Sequence, residues 1–83
     1  MEKVNWRKLV QRLVKTEMSA RGLKYQDISQ RLANIGIEQS ADNLRNKVNR
    51  GIMGADLLLQ LLCVIEARPV SVETLRDMLK SID

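Results

Sequence analysis

The chain has 83 residues, 45% of them hydrophobic and 29% charged, with a net charge of +4; this supports one small core and places it among globular rather than disordered sequences. The absence of His removes the commonest zinc sites and His-based acid–base catalysis, and a single Cys removes an intramolecular disulfide. Phe is absent and the aromatics are Trp6 and Tyr25 alone, so the core is expected to be aliphatic.

Charge is unevenly placed. Residues 1–50 carry 11 basic and 5 acidic side chains, whereas residues 51–83 carry 3 and 5. The positive half favours a polyanionic partner, although modest basic charge also serves solubility alone. Met1–Asn5 shows no apolar segment behind a basic one, so no secretory signal is expected. The apolar run Leu57–Ile65, broken by Gln60, falls well short of the ~20 residues that span a bilayer. A cytoplasmic protein without membrane partners is expected, and Cys63 is read as a buried, inert thiol.

In chain order, Asn5 is placed to cap a first helix running to about Arg21. Trp6, Leu9, Val10, Leu13, Val14 and Met18 recur at three and four residues as its apolar stripe. Lys8, Arg12 and Lys15 make a basic row on the other side, fitted either to solvent or to a phosphate backbone. Gly22 stops the helix, with Leu23 folding back as the apolar partner of the cap. A second helix spans about Tyr25–Asn34 with Ile28, Leu32 and Ile35 apolar, and Gly36 ends it.

The third helix divides most sharply into an apolar and a polar side. Ser40 is its N-cap and Gly51 its left-handed stop. Ala41, Leu44 and Val48 lie on one side; Asn43, Asn46, Lys47 and Arg50 lie on the other. Amides pair bidentately with adenine edges, and Arg or Lys with guanine or phosphate, so this face has nucleic-acid chemistry; a solvated face is the plainer alternative. A fourth helix over about Ala55–Ala67 is apolar nearly all round, which suits a core helix or one partly covered by another chain. After Pro69, Ser71 caps a last helix from Val72 to about Ser81, with Val70 and Leu75 as a hydrophobic staple and Val72, Leu75, Met78, Leu79 and Ile82 as its stripe. The expected fold is all-α, a single domain of about five helices over residues 1–83.

This order resembles the Cro and phage-repressor type of helix-turn-helix domain. The resemblance rests on Gly22-Leu23-Lys24-Tyr25-Gln26-Asp27-Ile28-Ser29-Gln30-Arg31-Leu32, on Leu44 through Val48 to Gly51, on Leu57–Ile65 and on Val70-Ser71-Val72. More narrowly, Asn43-Leu44-Arg45-Asn46-Lys47-Val48 with Arg50-Gly51 is similar to a family of short bacterial domains without assigned function. The helix-turn-helix resemblance implies a lambda-repressor-like fold with its core at about residues 23–51. It places the third helix in the major groove, with Asn43, Asn46, Lys47 and Arg50 reading bases and Gln26 bonding a phosphate. The chain departs from that pattern in two places. Lys24 and Tyr25 stand where the family has a Ser or Thr cap followed by Gln, and the connection at Ile35–Gln39 is longer than the family's tight turn.

The expected function is therefore sequence-specific binding of double-stranded DNA by a small bacterial or phage-type transcriptional regulator. A helical protein-interaction module is the alternative, since folds are reused. Two aromatics are too few for a single-strand stacking platform. No catalytic constellation, cofactor or metal site is expected. A symmetric homodimer is expected from the small contact of one helix with one half-site, its interface on the fourth and fifth helices, including Met78, Leu79 and Ile82.

Overall fold

The computed structural model describes residues 5–82; the stretch 1–4, on which the signal-segment reading largely rests, lies outside them. Five helices follow one another: α1 (Trp6–Ala20), α2 (Tyr25–Asn34), α3 (Ala41–Arg50), α4 (Ala55–Ile65) and α5 (Val72–Lys80). There is no strand among the described residues, and the fold is all-α as expected.

Local chemistry accounts for the boundaries. Asn5 Oδ1 accepts from the Lys8 N–H at 3.0 Å, Ser40 Oγ from Asn43 at 3.1 Å, and Ser71 Oγ from Thr74 at 3.0 Å, so three helices start on side-chain caps. α2 starts without a capping side chain at Lys24, and Asp27 instead reaches back to accept from the Lys24 N–H at 2.8 Å. Four helices end alike. The N–H groups of Leu23, Ile37, Ile52 and Ala67 bond the carbonyls of Met18, Leu32, Lys47 and Leu62, closing each last turn on a left-handed residue. That residue is Gly at the first three ends and Glu66 at the fourth.

The main core joins Val14 and Met18 of α1, Ile28 and Leu32 of α2, Leu44 and Val48 of α3, and Leu57, Leu61 and Ile65 of α4. Leu23, Tyr25 and Ile37 pack against it from the ends of α1 and α2. α1 is central: it packs against α3, α4 and α5. α5 touches only α1 among the described residues and buries none of its own side chains fully. α3 and α4 meet at a sharp bend of 114°. No single helix among the described residues is long and apolar enough to cross a membrane.

Several expectations change. Trp6 belongs to the apolar stripe of α1 by spacing but is 59% exposed, because the first turn projects beyond the core that begins at Leu9. Ile35 is exposed as well: it is the C-cap of α2, beyond the turn that packs. Cys63 is exposed rather than buried, on the side of α4 opposite Leu61 and Ile65. Ile82, assigned to a dimer surface, is buried within the chain, and Met78 and Leu79 are half-buried. Val72, placed on the apolar stripe of α5 by spacing, is 62% exposed at the first residue of that helix, and Leu59 on α4 is open to the same extent.

Candidate nucleic-acid interface

α3 is held from both ends and from beneath. Ser40 fixes its first turn, Gly51 its last, and Leu44 and Val48 are fully buried among α1, α2 and α4. Burial of these two branched side chains fixes the helix's rotation, and a truncation of Leu44 to Ala is worth about 2–5 kcal/mol. Asn43, Asn46 and Arg50 are consequently turned to solvent, as the spacing predicts. Lys47 is half-buried at the edge of the same face. Gln26 is exposed in the first turn of α2.

One contact couples that turn of α2 to α3, and a second holds its α3 partner in place. The Arg45 guanidinium lies 5.6 Å from the centre of the Tyr25 ring, a cation–π geometry that spans the two helices. Arg45 Nη1 also donates to Asp42 Oδ1 at 2.6 Å. Burial raises the Tyr25 hydroxyl above its ordinary value of 10.0, and the Arg45 charge works against that rise. Ser29 on α2 donates to the Gln39 carbonyl, pinning the long connection to the helix that precedes it. Asn43 Nδ2 then donates to Gln39 Oε1 at 3.4 Å, so the amide nearest the start of α3 has a partner on the connection. Arg31 donates to the Val64 carbonyl at 2.7 Å and ties α2 to the end of α4.

The exposed face is wider than the four residues singled out by spacing. Asp42, Arg45 and Asn49 are exposed too. Asn49 follows Asn46 by three residues and Asp42 precedes it by four, so the same periodicity identifies both. The face mixes three amides and three cations with one carboxylate. Asp42 in the first turn and Lys47 and Arg50 in the last also complement the helix dipole, which accounts for part of this placement without any ligand. The basic row Lys8, Arg12 and Lys15 is exposed on α1.

Residues 6–70 match the profile of a domain of unknown function, DUF6471. The chain belongs to the DUF6471 family. The match takes in α1 through α4 and the connection beyond, and leaves α5 outside it. The family carries no assigned activity in its description, so it supports no role for any residue of α3. No curated protein and no solved structure matches the chain.

Proposed function

We propose that this DUF6471 protein binds double-stranded DNA sequence-specifically, as a small transcriptional regulator of the bacterial or phage type acting in the cytoplasm. In this reading α3 lies in the major groove in the manner of a helix-turn-helix domain. The observation that carries it is the division of α3: Leu44 and Val48 are fully buried, while Asn43, Asn46 and Arg50 stand exposed on a helix capped at both ends. Base readout needs hydrogen-bonding groups on a rigid support, and amides and guanidinium are the groups that discriminate base edges. Gln26, exposed in the first turn of α2 next to the Tyr25 that meets Arg45, supplies a phosphate contact at the edge of the groove. Lys47 serves as a phosphate or guanine contact from the flank. The Ser29–Gln39 bond holds the long connection to α2, which supports a fixed placement of α3 against the second helix.

The protein acts as a symmetric homodimer in this account, pairing through exposed apolar side chains of α4 and α5 such as Leu59 and Val72 and presenting two copies of α3 about one turn of DNA apart. That same surface favours the second reading, a helical protein-interaction module with no DNA target. Selection of randomised duplex DNA with the purified protein, at two salt concentrations, separates the two. An enriched, two-fold symmetric site supports the regulator; retention without enrichment leaves only electrostatic attraction and favours the interaction module.

A further inference from the structure

We infer that the first turn of α1 forms a second DNA contact, with Trp6 and Arg7 seated against the sugar–phosphate backbone that borders the bases met by α3. This rests on the reading of α3 as the base-contacting helix.

The placement follows from one close backbone approach. A Cβ added at Gly51 would stand 2.0 Å from the Arg7 carbonyl oxygen and 2.6 Å from its carbonyl carbon. The end of α3 and the start of α1 therefore touch backbone to backbone, and their neighbours Arg50, Ile52, Trp6 and Arg7 gather at one edge of the molecule. All four are exposed, Trp6 by 59% and Ile52 by 48%. The turn that carries Trp6 is itself firm: the Asn5 side chain caps it, and Leu9, one turn on, is buried.

Two features of this edge run against local stability. A tryptophan buries more apolar area than any other side chain when it can, and here it is left in water. Arg7 and Lys8 stand at the positive end of the α1 dipole, and that turn holds no acidic residue to offset them. The last turn of α3 adds Lys47 and Arg50, which suit the negative end of their own helix but bring further positive charge to this edge. Bringing two basic turns together costs like-charge repulsion, and local rules broken in this way mark functional surfaces. The complementary partner is a polyanion with an apolar component. A sugar–phosphate backbone has both, since phosphate pairs with the guanidinium groups and the indole N–H, and deoxyribose packs on the ring. The edge is also continuous with the exposed face of α3, so one duplex meets both.

Trp6 is the only tryptophan, so its emission reports this contact alone. The full-length protein is titrated with the selected duplex while two signals are followed: anisotropy of a dye on the DNA, and quenching of Trp6 by acrylamide. The expected result is that Trp6 becomes several-fold less quenchable as the anisotropy saturates. Arg7→Ala should weaken binding to selected and unrelated duplexes alike and lower the salt slope by about one. Saturating anisotropy with Trp6 as open to acrylamide as before would overturn the inference and leave the α3 reading standing. Loss of Trp6 quenching with rising protein concentration in the absence of DNA would also overturn it, assigning the edge to a second copy of the chain. Failure of every duplex to bind would remove the α3 reading and this inference together.

Discussion

Glu17 on α1 and Arg68 beyond α4 lie 51 residues apart and are joined twice: the Arg68 backbone N–H donates to Glu17 Oε1 at 3.0 Å, and its Nη2 donates to Oε2 at 2.8 Å. Arg21 adds a third bond from Nη1 to Oε1 at 2.9 Å. Glu17 is only 5% exposed, and a buried carboxylate is tolerable when its oxygens are satisfied in this way. The contact clamps the α4–α5 connection onto α1, where α5 has its packing partner.

The clamp makes stability depend on acid. Hydrogen bonds from the Arg68 side chain and backbone hold the Glu17 carboxyl at about 2, below its ordinary 4.5, despite the opposing effect of burial. A depressed carboxyl contributes stability that is complete above the unfolded value and is lost as pH falls. Urea unfolding of the wild type and Glu17→Gln should differ by about 1–3 kcal/mol at neutral pH. The difference should shrink below pH 4.5 and be lost as pH falls through about 2. A difference that stayed constant over that window would show that Glu17 acts through packing alone.

Two glycines with nearly the same backbone angle should respond differently to alanine. Gly22 (φ +64) has nothing within 4 Å of an added Cβ, so Gly22→Ala should cost only the left-handed strain of about 1–2 kcal/mol. Gly51 (φ +65) has the Arg7 backbone in the way, and Gly51→Ala should cost about 3 kcal/mol or more by prising α1 from α3. Equal melting temperatures for the two variants would contradict the close approach of the helices.

Leu44→Asp should unfold the domain, since an unpaired carboxylate would replace a fully buried side chain. Leu59→Asp, on the open side of α4, should keep the fold, with any fall in melting temperature limited to what pairing contributes. Circular dichroism melts of both variants check the two sides of the core. A folded Leu44→Asp variant would mean that α3 is rotated from the orientation described.

Homodimerisation predicts a dimeric mass by light scattering behind size exclusion, at micromolar protein with and without DNA. Leu59→Lys and Val72→Lys should each shift the mass toward the monomer, because both side chains stand open on the monomer surface. Monomers in every state would remove the dimer from the account.

Much of this arrangement is legible along the chain. Ser40, Gly51 and the spacing of Leu44 with Val48 define α3 and its inner face, because caps and helical periodicity are local signals. Leu23 likewise folds back as its position after Gly22 predicts. Periodicity tells which side of a helix faces inward but not how far the core extends, and Trp6 and Ile35 are exposed for that reason. Cys63 shows the same limit around α4, where an almost wholly apolar helix offers no polar face to mark the open side. The Glu17–Arg68 clamp has no local signature, although a carboxylate four residues after Leu13 and three after Val14 already stands among inward positions. Tyr25 meets Arg45, and Ser29 meets Gln39, only once the connection has folded.

The most direct test of α3 as the reading element is the affinity of wild-type, Asn46→Ala, Arg50→Ala and Arg12→Ala proteins for the selected duplex and for a scrambled one, at two salt concentrations. Asn46→Ala and Arg50→Ala should each cost about 1–3 kcal/mol on the selected site and flatten discrimination between the duplexes. Arg12→Ala, on the basic row of α1, should weaken both duplexes equally or not at all, with any loss accompanied by a lower salt slope. Folded Asn46→Ala and Arg50→Ala proteins that kept the full preference of the wild type would contradict the account.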